Sequence, residues 1–191
     1  MIMRIGTKSV LFGAHCFFIH PFFVALAWWK LYGFPFDPRL WVAFFVHDLG
    51  YWGKQNMDGK EGETHVEFGA NVMHLFDKKY QLGYMHGREM KWHDFSLYHS
   101  RYYAKKDGAK PSKLCFADKL AICLEPDWLY MPRVNWSGEI HEYLENGKRK
   151  DKNWTPVFTQ KEWRRQLVTY MRDWVNTHVD GSEDNWTHKR H

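Results

Sequence analysis

Apolar residues recur three or four positions apart along most of the chain, and alternating β-branched runs are scarce. The clearest case is residues 160–178, where Trp163, Leu167 and Trp174 share one face at helical spacing. A half-buried strand would instead show a period of two residues. The pattern therefore predicts an all-α fold, a helical bundle with long connecting loops.

Proline and glycine indicate the bounds of an early helix. Pro21 suits the first turn of a helix, so we expect one to run from His20 to about Tyr32 and to end at Gly33. This boundary leaves His20 at the N-terminal end of the helix, where its side chain is free to project. We therefore expect His20 to have a different role from the apolar residues that follow it in the helix.

A second start signal is the pair Asp37-Pro38, which predicts a helix over the apolar stretch Leu40–Val46. That stretch leads directly into the adjacent pair His47-Asp48. The remaining predictions are a polar loop at 53–63, helices at 64–76, 87–105 and 111–124, a short helix at 139–144 and a closing helix at 160–178.

Composition indicates one globular domain. The chain has 191 residues, of which 45% are hydrophobic and 18% aromatic, more than a disordered chain carries. We predict a single domain over residues 1–181, with a motif-bearing core at about 10–126 and C-terminal helices at 127–181. Residues 182–191 are predicted to form a flexible tail.

Charge and cysteine content limit the partners and the compartment. The net charge of +5 comes from short basic clusters and not from one basic stripe, so we expect small anions and no nucleic acid. Three cysteines without a CxxC pair fit a reducing cytoplasm. The apolar N-terminal stretch imitates a signal peptide, but His15, His20 and Pro21 interrupt it, so we expect a buried helix and no membrane span.

Side chains of the types that bind divalent metals fall on separate predicted helices or at their ends, apart from one adjacent pair. They are His20, His47, Asp48, His65, His99 and Asp118. Spacing makes His74 a poor candidate, because it lies nine positions after His65, on the opposite face of the same predicted helix. His93 and His99, six positions apart, likewise cannot both face one centre. The set predicts a metal site.

All six of these residues stand in short motifs. The motifs are His20-Pro-Phe-Phe-Val-Ala-Leu-Ala27, Phe45-Val-His-Asp-Leu-Gly50, Thr64-His65-Val-Glu-Phe-Gly-Ala70, Tyr98-His99-Ser100-Arg101 and Leu114-Cys-Phe-Ala-Asp118-Lys-Leu120. Together they resemble the HD-domain metal-dependent phosphohydrolase superfamily, an all-α fold named for the His-Asp dipeptide. The resemblance is to its dinuclear, six-ligand branch and covers residues 10–126.

The resemblance implies two divalent ions, manganese, iron or cobalt, with magnesium or zinc as alternatives. It implies that Asp48 bridges them, with His20, His47 and Asp118 on one side and His65 and His99 on the other. The implied activity is hydrolysis of a phosphoester or phosphoanhydride by hydroxide formed at the metals. The expected substrate is a small phosphorylated molecule, for which we favour a nucleotide or dinucleotide.

Such a reaction needs positive charge near the phosphoryl group. The candidates for substrate binding are Lys54, Arg101, Lys105 and Lys113, with Trp52 for stacking on a base and His15 beside the first ligand. The predicted catalytic residues are Asp48, Lys54 and Arg101.

Two residues leave alternatives open. His15 competes with His20 as the first ligand, since they precede His47 by 32 and 27 positions and family spacing tolerates both. We favour His20 because the residues after it fit the helix pattern. Family members that cleave nucleoside monophosphates carry a Glu three residues after the motif aspartate, where this chain has Tyr51, so that mechanism is weakened.

Two other functions fit the same ligands. Similar six-ligand sites in this superfamily house di-iron oxygenases, and histidine with carboxylate suits iron as well as manganese. A non-catalytic, metal-stabilised nucleotide-binding module is the other alternative, because a fold does not guarantee an activity.

Overall fold

The computed structural model describes residues 3–77, 82–85, 88–148 and 155–179. Within these ranges no helix combines the length and the apolar character needed to cross a membrane. The predicted tail at 182–191 lies outside the described residues, as does the predicted domain end at residue 181.

Helices form most of the regular structure in the described ranges, which confirms the predicted all-α class. They are α1 Ile5–Phe12, α2 His20–Tyr32, α3 Pro38–Val46, α4 Gly59–Glu63, α5 Val66–Met73, α6 Trp92–Leu97, α7 Arg101–Lys106, α8 Lys113–Leu124, α9 Asp127–Ser137, α10 Glu139–Gly147 and α11 Gln160–His178. Short 3-10 turns, Leu49–Tyr51 and His74–Phe76, follow α3 and α5. Between α5 and α6 lies a small antiparallel ribbon of β1 Leu82–Met85 and β2 Arg88–Met90.

Helices α2 and α3, which immediately precede the His-Asp pair, begin where the sequence predicts. Pro21 lies in the first turn of α2, and Gly33 follows its last residue with a φ of 89°. The Asp37 carboxylate accepts a hydrogen bond of 2.9 Å from the Arg39 N–H and so caps α3. Local sequence therefore determines where both helices begin.

The single helix predicted at 87–105 is wrong, because this stretch contains β2, α6 and α7 with a break between the two helices. The break has a local cause. The Ser100 hydroxyl accepts hydrogen bonds from the N–H groups of Tyr102 and Tyr103, at 3.2 and 3.4 Å, and starts a new helix. His99 consequently lies between two helices and not on a continuous helical face.

Other predicted bounds need smaller corrections. The loop predicted at 53–63 contains α4, and the short helix predicted at 139–144 extends to Gly147. The helix predicted at 64–76 begins at Val66 and continues beyond Met73 as a 3-10 turn. The closing helix α11 has the predicted bounds, and Thr159 and Glu162 form a capping box at its start.

The main core lies between α2, α3, α6 and α8, where Val24, Phe44 and Leu114 are fully buried. On another face of α8, Phe116 stacks on Trp174 of α11 with ring centroids 5.1 Å apart. A second buried cluster joins α9, α10 and α11. This packing brings the beginning of α2, the end of α3 and the middle of α8 together.

Candidate metal centre

Six buried side chains meet where these helices converge, and they are the six predicted metal ligands. His20 begins α2, His47 and Asp48 follow α3, His65 precedes α5, His99 lies between α6 and α7, and Asp118 lies within α8. None is more than 8% exposed. Because most of them stand at helix ends, no helix face has to carry several ligands.

Asp48 lies in the middle of the cluster, and one of its oxygens faces a first group. Its Oδ2 atom is 3.5 Å from His20 Nε2 and 3.1 Å from His47 Nε2. Asp118 Oδ1 lies 3.0 Å from His20 Nε2 and 3.8 Å from His47 Nε2. One ligand atom from each of these residues lies within 4.8 Å of the others, so they could hold one ion.

The second oxygen of Asp48 faces a second group. Oδ1 lies 3.5 Å from His65 Nε2 and 3.5 Å from His99 Nε2. These two nitrogens are 3.2 Å apart, and the three residues form the second set that could hold an ion. Asp48 thus offers one oxygen to each group, as a carboxylate does when it bridges two metals.

Backbone carbonyls orient three of the imidazole rings. His47 Nδ1 donates to Phe44 O at 2.9 Å, and His65 Nδ1 donates to Gly62 O at 2.7 Å. His99 Nδ1 donates to Ser96 O at 2.5 Å. Each partner lies three residues earlier in the chain. A proton on Nδ1 turns the Nε2 lone pair toward the cluster, as metal-binding histidines require.

Two glycines allow the segments that carry the ligands to approach closely. A Cβ at Gly69 of α5 would lie 2.8 Å from His47 Cα and 2.9 Å from Val46 O. A Cβ at Gly50 would lie 1.9 Å from His65 O. Neither clash can be relieved by rotating a side chain. Both glycines therefore hold the His47-Asp48 segment against the segment that contains His65.

The charges of the cluster shift its pKa values in opposite directions. Burial disfavours ionisation of Asp48, but His47 outweighs it and holds the pKa of this carboxyl well below its usual range. Burial lowers the pKa of His47, while the Asp48 charge raises it, and the net result is a pKa of about 10. Burial and the neighbouring His99 hold the pKa of His65 well below its usual range. When no cation is bound, the first group of ligand atoms therefore carries a proton on His47.

The donor set fits divalent metal ions. His47 Nε2 and Asp48 Oδ2 are buried and lie 3.1 Å apart, so the carboxylate is neutralised by the protonated imidazole when no cation is bound. A bound cation would take the place of that proton between the two groups. Imidazole nitrogens with carboxylate oxygens suit manganese, iron, cobalt or zinc. The described residues thus support metal binding, while the identity of the metal stays a prediction.

The predicted substrate residues near the His-Asp pair line a cleft of about 560 Å³. Trp52 is 59% exposed there, and Lys54 Nζ donates to Thr64 Oγ1 at 2.6 Å. Leu49 and Gly50 form another part of its wall. The cleft therefore borders the backbone next to Asp48 and His65.

Two of the other predicted cations, Arg101 and Lys113, contact aromatic side chains. The Arg101 guanidinium donates to the Tyr170 hydroxyl at 2.9 Å and packs 4.9 Å from the centre of the Trp174 ring. Lys105 is exposed in the last turn of α7. Lys113 Nζ lies 5.0 Å from the centre of the Tyr32 ring, at the opposite end of α2 from His20. Arg101 thus binds the closing helix, and its catalytic role stays a prediction.

The two candidates for the first ligand take different places. His20 belongs to the first group of ligand atoms, whereas His15 belongs to neither group. The His15 ring centroid lies 5.9 Å from that of His20, and its Nδ1 atom is 2.9 Å from Ser9 Oγ. The structure therefore places His20 among the residues that could hold an ion, and His15 beside them.

Two further residues touch the ligands, and the sequence reasoning did not assign them to the site. Lys119 Nζ lies 2.7 Å from Asp118 Oδ2, and its charge holds the pKa of Asp118 well below its usual range although burial opposes this. The Tyr51 ring stacks on His65 with centroids 4.0 Å apart and planes 8° apart. The adjacency of Lys119 to Asp118 was a signal in the sequence, but the stacking of Tyr51 was not.

Comparison of the chain with protein-family models, with curated proteins and with solved structures finds no match. The resemblance to HD-domain phosphohydrolases therefore rests on the motifs of the chain itself.

Proposed function

We propose that this protein is a metal-dependent phosphohydrolase that holds two divalent ions and cleaves a small phosphorylated molecule. The observation that carries the proposal is the position of Asp48, whose two carboxylate oxygens face two separate groups of ligand atoms. Enzymes that carry out displacement at phosphorus commonly use a pair of metals held in this way. The HD-like motifs point to the same reaction.

The reaction joins the oxygen of a water molecule to phosphorus and breaks the bond from phosphorus to the leaving oxygen. The proton given up by the water ends on that leaving oxygen. When bound, the two ions supply Lewis acidity that activates the water and neutralises phosphoryl charge. Asp48 and Asp118, whose carboxyl pKa values are held low, supply negative charge to bind the ions. Burial of the cluster strengthens every one of these electrostatic interactions.

The substrate class that best fits the surroundings is a nucleotide or dinucleotide. The cleft beside Asp48 and His65 has the volume of a small-ligand site and contains the exposed ring of Trp52 together with Lys54. An aromatic ring can stack on a base, and an ammonium group can pair with phosphate. Lys119, next to Asp118, supplies a further positive charge at the cluster.

Metal analysis combined with phosphate release tests the proposal. The full chain, purified without chelator, would be assayed with manganese, iron, cobalt or magnesium against nucleotides, dinucleotides and a generic phosphodiester. Asp48→Asn provides the inactive comparison, because it keeps the size of the side chain and removes its charge. About two metals per chain with metal-dependent phosphate release, both lost in Asp48→Asn, is the expected result.

Two other outcomes would replace the proposal. Bound iron with oxygen consumption and no phosphate release would indicate a di-iron oxygenase. Bound metal and tight nucleotide binding without turnover, with every metal tested, would indicate a binding module.

A further inference from the structure

A second buried polar cluster lies next to the centre and belongs to the C-terminal helices. Its middle is Glu139, the first residue of α10, which is fully buried. Glu139 Oε1 accepts hydrogen bonds from the Ala14 N–H at 3.0 Å and from the Ser137 hydroxyl at 2.5 Å. Glu139 thus joins α10 to the segment that follows α1, and it lies beyond the residues that carry the HD-like motifs.

The other carboxylate oxygen of Glu139 faces His15. Oε2 accepts a hydrogen bond from the Tyr143 hydroxyl at 2.8 Å and lies 3.7 Å from His15 Nδ1. The same His15 nitrogen is 2.9 Å from Ser9 Oγ. One edge of the His15 ring is therefore held by a hydroxyl and a buried carboxylate.

The remainder of the His15 ring lies against the metal centre. Its centroid is 5.9 Å from that of His20 and 4.6 Å from that of Tyr51, which itself stacks on His65. The side chain is 19% exposed, and the described hydrogen bond of its ring is made by Nδ1. His15 is thus a partly accessible group beside the ligands.

The negative charge of Glu139 acts on two neighbouring side chains, Arg133 and His15. An amide oxygen could accept the same hydrogen bonds from Ala14 and Ser137 without the desolvation cost of a buried carboxylate. The negative charge has a specific effect on His15, because it favours a proton on the facing Nδ1 atom. With the proton on Nδ1, that N–H would donate to Ser9 Oγ at 2.9 Å and the Nε2 lone pair would be directed away from Glu139, as in other carboxylate–histidine pairs.

We propose that Glu139 is a positioning residue of the centre: it fixes the tautomer and orientation of His15, whose Nε2 accepts a hydrogen bond from the attacking water. This inference rests on the proposed phosphohydrolase function and extends it to the C-terminal helices. His15 orients the water, and Glu139 acts on the reaction only through His15.

A double-mutant cycle tests that dependence. Glu139→Gln and His15→Gln should each lower kcat by about ten- to one-hundred-fold, with KM and metal content unchanged. The double variant should be no slower than the slower single variant, because both substitutions remove one interaction. Glu139→Asp, which keeps the charge, should restore part of the lost kcat. Fully multiplied losses in the double variant would show that Glu139 acts by another route.

Glu142→Gln is the matched control. Glu142 lies on the same helix and accepts hydrogen bonds from the Met57 and Asp58 N–H groups, at 3.0 and 2.9 Å, but has no contact with His15. Its kcat should equal that of the unaltered protein.

A spectroscopic measurement decides the inference independently of activity. The imidazole nitrogen signals of the full chain, with its metals exchanged for diamagnetic zinc, would be recorded by NMR and assigned to His15 by their loss in His15→Gln. We expect Nδ1 to carry the proton in the unaltered protein and the proton to move toward Nε2 in Glu139→Gln. A proton on Nε2 in the unaltered protein would overturn the inference, even if Glu139→Gln fails to fold. Absence of phosphate release would instead refute the proposed function and leave this measurement to decide the role of Glu139.

Discussion

His65 Nε2 and His99 Nε2 lie 3.2 Å apart, while the Nδ1 atom of each ring donates to a backbone carbonyl. With a proton on each Nδ1 atom, both facing nitrogens are acceptors and their lone pairs repel. The contact becomes favourable when a cation lies between them and Asp48. A pair of residues 34 positions apart in the chain is thus arranged for a positive charge.

Removal of His65 should cost one metal ion and leave the other. His65→Ala deletes a ligand of the second group and leaves the residues of the first group, His20, His47, Asp48 and Asp118, unaltered. Elemental analysis should fall from about two ions per chain to about one. His74→Ala, an exposed histidine on the same segment, is the control and should keep both ions. Equal losses in both variants would contradict the two-group arrangement.

Asp48→Asn should lose both ions, because Asp48 alone belongs to both groups. Its helical circular dichroism should persist, since the main core between α2, α3 and α8 does not include this side chain. Asp107→Asn, at an exposed carboxylate, should keep the metal content of the unaltered protein. Retention of one ion by Asp48→Asn would show that one group binds without the bridge.

Metal affinity should rise with pH. The His47 pKa of about 10 means that this ring is protonated at neutral pH before metal binds, so a cation has to displace a proton. Below that pKa, each unit of falling pH should weaken binding by up to about tenfold. Calorimetry in buffers of different ionisation enthalpy would count the protons released. An affinity that stays constant from pH 6 to 9 would contradict the protonation of His47.

Gly69→Ala should destabilise the fold and weaken metal binding together. The added methyl would lie 2.8 Å from His47 Cα and force α5 away from the His-Asp segment. Overpacking of this kind costs about 1–3 kcal/mol of unfolding free energy. Asn71→Ala, at an exposed position of the same helix, should change the urea midpoint little. A stable Gly69→Ala protein with full metal content would show that the close approach is not required.

Arg101→Ala should reduce stability before it affects chemistry. It removes a hydrogen bond to Tyr170 and the contact with the Trp174 ring, so we expect a loss of about 1–2 kcal/mol in urea unfolding. Lys105→Ala, on the exposed side of α7, should stay within about 0.5 kcal/mol. Lost phosphate release at unchanged stability would instead support the predicted catalytic role of Arg101.

Local sequence signals were sufficient for several elements of the fold. Pro21 with Gly33, and Asp37 with Pro38, predicted the bounds of α2 and the start of α3, because caps and fixed backbone angles act within a few residues. The prediction of one helix at 87–105 was wrong. The residues there have the pattern of a single helix, although Ser100 caps a second helix. A cap inside a helical run is visible only when the competing hydrogen bonds are known.

The sequence by itself determined the all-α class and which residue types could bind a metal, since hydrophobic period and donor chemistry are properties of the chain. Only the tertiary structure decided how those residues are arranged. Asp48 turns one oxygen to each of the two groups of ligand atoms. His15 lies beside these groups, and Arg101 binds α11. It also brought Glu139 next to His15 from 124 positions away. Distances of a few ångströms between helix ends depend on how whole helices pack, and no local pattern specifies that packing.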